Sequence, residues 1–217
     1  MPKRPAIPFD AEPPLPGETA PAFPRVSVPK GEALWVFGYG SLMWDPGFPH
    51  LDAVTARLWG YHRAFCVWSH RYRGTPEAPG LVLGLKPGGS CVGRAFRVRK
   101  ADEAPVIDYL YRREMLTGVY RPGFHNAAIN GERRRVLAFV ADPHHVQYAG
   151  RLSEKQAARV IAQSCGQRGP NADYLRNTVA HLDALGINDG PLHLLQQDVQ
   201  KLCARQTKTN LAKTKGT

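Results

Sequence analysis

The spacing of apolar residues changes three times along the chain, and the order of those changes narrows the fold more than any single motif does. Residues 34–39 (LWVFGY) form an uninterrupted apolar run ended by glycine, the pattern of a buried strand. Pro46, Gly47 and Pro49 prevent it from extending far. Residues 53–69 read as two strands around Gly60 and Tyr61. Residues 81–86 and 91–99 read as a hairpin turned by Pro87, Gly88 and Gly89. The period then becomes helical. Asp102 is placed to cap a helix whose first turn holds Glu103 and Pro105 and which runs to about Leu116, before Gly118. Strand character returns over 119–129 and 135–141. From Ser153 onward the pattern is helical again, with Ser153 and Gln156 spaced as a capping box and helices predicted over 153–165, 171–185 and 191–205. Strands, one helix, strands, then helices predict an α+β fold with a mostly antiparallel sheet, not a doubly wound βαβ arrangement.

Composition sets outer limits. The 217 residues suffice for one sizeable core. No apolar run approaches the roughly 18 residues a membrane-spanning helix needs. Nine of the 19 prolines lie in residues 1–30, which carry a charge of only +1 and read as a Pro-rich flexible arm without a secretory h-region. Residues 31–198 carry +5 and read as the folded domain. Residues 199–217 carry a further +5 with no acidic side chain and read as a basic, partly helical tail, so nearly half of the net +11 lies outside the folded part. Cys66, Cys91, Cys165 and Cys203 show no CxxC spacing, which argues against a metal site and fits reduced thiols in the cytoplasm. His144 and His145 follow Pro143 and read as a surface turn. The three arginines 133–135 read as solvated charge at a strand start.

Two local features carry chemical content. Val36-Phe37-Gly38-Tyr39-Gly40-Ser41-Leu42 places two glycines around a tyrosine at the end of a buried strand. Glycine there permits positive φ or close approach of another molecule to the backbone, and consecutive amides can form an anion-binding nest. The same pattern also suits an ordinary strand-to-loop turn. It is not a nucleotide fingerprint, because Met43 stands where GxGxxG needs its third glycine. The second feature is Glu114. On a helix, Ile107, Leu110, Tyr111 and Glu114 share one face, apolar apart from the carboxylate. A buried carboxylate is held toward its neutral form and makes a proton acceptor suited to near-neutral pH. The alternative is a Glu at the edge of the stripe, solvated or paired with Arg112 or Arg113.

Taken together, VFGYGSLMWDPGF (36–48), GYHRAFCVWS (60–69), LYRREMLTGVYRP (110–122) and GPNADYL (169–175) resemble the ChaC-like, glutathione-specific γ-glutamylcyclotransferases over residues 34–198. The resemblance implies a γ-glutamylcyclotransferase-like mixed β-barrel with surrounding helices and a helical C-terminal part. It implies cleavage of glutathione into 5-oxoproline and cysteinylglycine without metal or cofactor. By motif, Val36, Phe37, Gly38, Tyr39, Gly40, Ser41 and Leu42 correspond to the loop that holds the γ-glutamyl group, and Glu114 to the catalytic glutamate. Tyr120 and Tyr174 correspond to aromatic positions that line the pocket. The loop His70-Arg71-Tyr72-Arg73-Gly74 departs from the pattern, so Arg63, Arg71 and Arg73 are all left open as partners of the glycyl carboxylate. Two other readings stand beside this one. A cyclotransferase for different γ-glutamyl compounds would share the barrel, and GPNADYL argues against it. A nucleic-acid module would account for the basic pI, but no aromatic-basic RNA motif appears. No membrane partner is expected, and no oligomeric state is read from the sequence.

Overall fold

The computed structural model describes residues 25–214, with side chains to residue 206. Five strands close into a barrel in the order β1-β3-β2-β4-β5: β1 (Trp35–Gly38), β2 (Asp52–Ser69), β3 (Gly80–Arg97), β4 (Tyr120–Ile129) and β5 (Glu132–Ala141). All neighbours are antiparallel except β1 and β5, which close the barrel in parallel at Val36 and Leu137. Helix α1 (Glu103–Glu114) lies between β3 and β4 in sequence. Helices α2 (Glu154–Gln163), α3 (Asn171–Ala184) and α4 (Gly190–Thr214) follow the barrel, with a two-residue pair, β6 (Cys165–Gly166) and β7 (Gly169–Pro170), between α2 and α3.

The apolar run at 34–38 is buried on both faces of β1. Trp35 and Phe37 belong to the core shared with α2, α3 and α4. Leu34 and Val36 pack with Val106, Ile107 and Leu110 of α1 and with Leu137 and Phe139 of β5. Strands covered on both faces read as continuous apolar runs. Burying each of the three α1 side chains contributes about 1.5–3 kcal/mol, which fixes α1 against the barrel. Glu103 adds a polar anchor: its carboxylate accepts from the Leu34 amide at 3.2 Å and from Lys100 Nζ at 2.8 Å.

Three local expectations are corrected. Residues 52–69 are one strand of 18 residues, not two. The expected hairpin over 81–99 is likewise one strand, Gly80–Arg97, both halves of which pair with β2 and not with each other. The cause is a shared irregularity: Gly60 has φ +84°, Gly88 +100° and Gly89 +71°, and the register shifts between Trp59 and Tyr61. A bulge of this kind bends paired strands without ending them. Asp102 stands at the N-cap of α1, but its side chain makes no capping bond, because a 3₁₀ turn (Lys100–Asp102) already leads into the helix.

Other local expectations match. Ser153 and Gln156 form the capping box of α2. Arg133, Arg134 and Arg135 lie exposed on β5, where Arg134 pairs with Glu132 and Arg135 with Glu32. His144 is exposed in a turn and His145 accepts from the Gln147 amide. Asn171 is buried and bonds the Leu81 backbone through both side-chain atoms, at 2.7 and 2.8 Å, tying the start of α3 to β3. Helix α4 runs without a break across residue 199, the expected start of the tail. The arm expected over residues 1–30 falls largely outside the described residues.

Candidate active site

β1 delivers the chain into Tyr39 and Gly40, and a single 3₁₀ turn (Ser41–Met43) follows. The bonds of that turn begin at Met43 N to Gly40 O, 2.9 Å. The amides of Gly40, Ser41 and Leu42 precede it, and the first amides of a helical turn have no partner within it. Positive φ is not what the glycines supply: neither Gly38 nor Gly40 has it, and Gly40 sits at φ −132°. They supply space. A Cβ at Gly38 would lie 3.1 Å from Leu42 Cβ and 3.2 Å from the Met43 amide, and one at Gly40 would touch Leu83 at 3.4 Å. The side chains of Val36, Phe37 and Leu42 point into the core, so these residues shape the loop from beneath. Ser41 is exposed.

Glu114 is the last residue of α1, two short of the expected end, with its side chain 18% exposed. Both sequence alternatives apply at once: the carboxylate is largely buried and also lies 3.3 Å from Arg113 Nε. Burial pushes its pKa up, and Arg113 opposes that only in part.

The structure gathers Tyr39, Glu114, Tyr120 and Tyr174. The Tyr39 hydroxyl is pushed well up by burial and further by Tyr120, Glu114, Cys66 and Tyr174. Tyr174, from α3, is also pushed up by burial, and it too feels Glu114. Tyr120, at the start of β4, donates to the Leu83 carbonyl at 2.7 Å. The three tyrosines and the carboxylate thus arrive from the loop after β1, from α1, from β4 and from α3. Val36 and Phe37 of the expected set are buried on opposite faces of β1, Val36 against α1 and Phe37 in the core that also holds Tyr39, and bring no polar group to the site.

The three arginines left open separate by surroundings. Arg63 is buried and fully engaged: it donates to the Tyr39 carbonyl, to Val92 O at 2.7 Å and to Asp189 Oδ2 at 2.6 Å. Arg71 is exposed and bonds Gln167 at 2.9 Å. Arg73 stands with its guanidinium 4.9 Å from the Tyr174 ring centre, and burial pushes its pKa down. Sequence reasoning missed Asp189 altogether and considered Arg113 only as a pairing partner. The one local signal for Arg113 was its place beside Glu114 at a helix end.

A closed mixed barrel with a glycine-spaced loop facing a buried carboxylate defines the class: the γ-glutamylcyclotransferase-like barrels. A crystal structure of a yeast γ-glutamylcyclotransferase specific to glutathione matches with a TM-score of 0.68 and 22% identity, over 79% of this chain and 100% of that one. The family described as ChaC-like protein matches residues 34–202, and the chain belongs to it. A glutathione-specific γ-glutamylcyclotransferase of Escherichia coli is 37% identical over 172 residues, covering 79% of this chain and 74% of the relative. A human glutathione-specific γ-glutamylcyclotransferase 1 is 30% identical over 193 residues, covering 85% and 87%. Among the described residues, no helix is long and apolar enough to cross a membrane.

Proposed function

We propose that this protein degrades glutathione by intramolecular cyclisation, releasing 5-oxoproline and cysteinylglycine. Membership of the ChaC-like family supports the substrate class. The observation that carries the mechanism is the largely buried Glu114 carboxylate, within electrostatic reach of Tyr39 and Tyr174 and joined through Arg113 to Ser41 of the glycine-spaced loop.

The α-amine of the γ-glutamyl group attacks its own γ-carbonyl. The nucleophile is tethered, so holding the substrate folded supplies much of the acceleration. At neutral pH the amine is protonated and must lose a proton first. Glu114 accepts it. As the ring closes, the carbonyl oxygen takes negative charge, and the amides of Gly40, Ser41 and Leu42 donate to it. One such donor is worth about 10²–10³ in rate. The C–N bond to the cysteinyl residue then breaks as Glu114 returns the proton to the leaving nitrogen, and the ring nitrogen gives its second proton to the regenerated carboxylate, which passes it to the released amine. No water is consumed.

Tyr174 is within electrostatic reach of both Glu114 and Arg73, and we assign the glycyl carboxylate of a glutathione whose amine meets Glu114 to Arg73. We place the catalytic domain at residues 31 to about 203, because Val199 is buried in the core and Leu202 and Cys203 pack against it; the Pro-rich arm and the rest of the basic tail lie outside it. All four cysteines are thiols, in keeping with a cytoplasmic enzyme that meets reduced glutathione. The test is product analysis of the purified full-length protein with reduced glutathione. Equal or better turnover of γ-glutamyl-alanine or γ-glutamyl-lysine would overturn glutathione specificity.

A further inference from the structure

Arg113 is adjacent to Glu114 in sequence, yet most of its contacts lie on the other side of the site. Its side chain is only 13% exposed. Nε faces Glu114 Oε1 at 3.3 Å. Nη1 donates to Asp45 O at 2.9 Å and to the Tyr109 hydroxyl at 3.1 Å, and Nη2 donates to Ser41 Oγ at 2.9 Å. One guanidinium therefore joins the end of α1 to both ends of the turn that follows β1. The turn is shaped to meet it. Gly47 has φ +71°, and a Cβ there would overlap the Tyr109 hydroxyl and lie 3.6 Å from Arg113 Nη1.

We propose that Arg113 is a positioning residue for the reaction: its guanidinium holds the Glu114 carboxylate and the Ser41–Pro46 turn in one fixed arrangement. The inference rests on the cyclotransferase reading above. Ring closure needs the proton acceptor and the oxyanion donors at a set separation, and misplacement of either loses rate. The planar fork makes these contacts simultaneously, whereas a lysine ammonium presents a compact charge that does not span them. The groups facing Glu114 are Arg113 on its own helix, Tyr39 after β1 and Tyr174 on α3, with Tyr120 of β4 beside Tyr39 and Arg73 beyond Tyr174. Of these, Arg113 is the cation the carboxylate touches.

Two variants separate charge from geometry, read by the pH dependence of kcat/KM for glutathione. Wild-type turnover is measured first; its absence would sink the cyclotransferase reading, not the role of Arg113. In Arg113→Met the acid limb moves to higher pH by about half a pH unit or more, because a neighbouring cation no longer favours the ionised carboxylate, and kcat/KM at the optimum falls about tenfold or more. In Arg113→Lys the limb stays near that of wild type while kcat/KM still falls about tenfold. A folded Arg113→Met enzyme with an unmoved acid limb overturns the proposal, as does an Arg113→Lys enzyme with wild-type kcat/KM. Should Arg113→Met not fold, the lysine variant decides alone.

Discussion

Replacing Asp189 with alanine tests how the site loop is tied to the C-terminal helices. Arg63 has a side chain 1% exposed, and its charge is balanced by Asp189, itself 14% exposed, at 2.6 Å. The same guanidinium donates to the Tyr39 carbonyl, immediately before Gly40. Asp189 also accepts from the Leu192 amide at 3.3 Å in the first turn of α4. Asp189→Ala leaves a buried guanidinium without its counter-charge, which typically costs 3–5 kcal/mol, so about 4 kcal/mol is expected. Against a total stability of about 5–15 kcal/mol this is a large fraction. With a urea slope near 2 kcal/mol/M, the unfolding midpoint falls by about 2 M. Burial shields the pair, so the loss persists at high salt. A double-mutant cycle completes the assay: removing both charges with Arg63→Met and Asp189→Leu costs less than the sum of the single changes. A loss under about 1 kcal/mol in Asp189→Ala, or strict additivity in the cycle, would refute the reasoning.

The remaining predictions concern the site and the barrel. Glu114→Gln lowers kcat for 5-oxoproline release by at least about 10²-fold while the protein stays folded by circular dichroism. In the wild type, kcat/KM falls with decreasing pH before the ordinary carboxylate range is reached, because burial raises the pKa of Glu114. Arg73→Ala raises KM for glutathione about tenfold or more, the effect of losing a charge-assisted bond to a carboxylate; an unchanged KM would remove Arg73 from substrate binding. Gly93→Ala destabilises by about 1–3 kcal/mol in urea titrations, since its Cβ would overlap the Gly38 carbonyl and lie 2.7 Å from the Phe37 ring.

The fold was legible where the information is local. Strand β1 announced itself because both its faces are covered, and the box at Ser153 and Gln156 because both partners lie within one turn. The continuity of β2 and β3 was not legible. Gly60 and Pro87–Gly89 each look like a break, and only their juxtaposition across the two strands converts two breaks into one bend. At the site, Glu114 stood out as a carboxylate on an apolar stripe. Arg113 did not, because nothing in the local sequence distinguishes it from the exposed Arg112; the difference is made by the turn at Gly47, 66 positions away. Arg63 and Asp189 are separated by 126 positions, and no spacing rule connects them.

The position of Glu114 explains more than its residue type does. As the last residue of α1 it lies where the helix carbonyls concentrate partial negative charge, and that disfavours an ionised carboxylate. Burial acts in the same direction, and Arg113 opposes both without cancelling them. The net upward shift means that the folded state binds a proton here more readily than the unfolded chain. Stability is then lost as pH rises from the ordinary carboxylate pKa through the raised folded one. Glu114→Gln removes an ionised group the fold disfavours, so the variant should be at least as stable as wild type at pH 7. The difference should vanish at a pH below the ordinary carboxylate range, where the carboxyl is protonated in the folded and unfolded states alike. Parallel urea titrations at the two pH values measure this. A variant clearly less stable than wild type at pH 7 would show that the Arg113 contact outweighs burial.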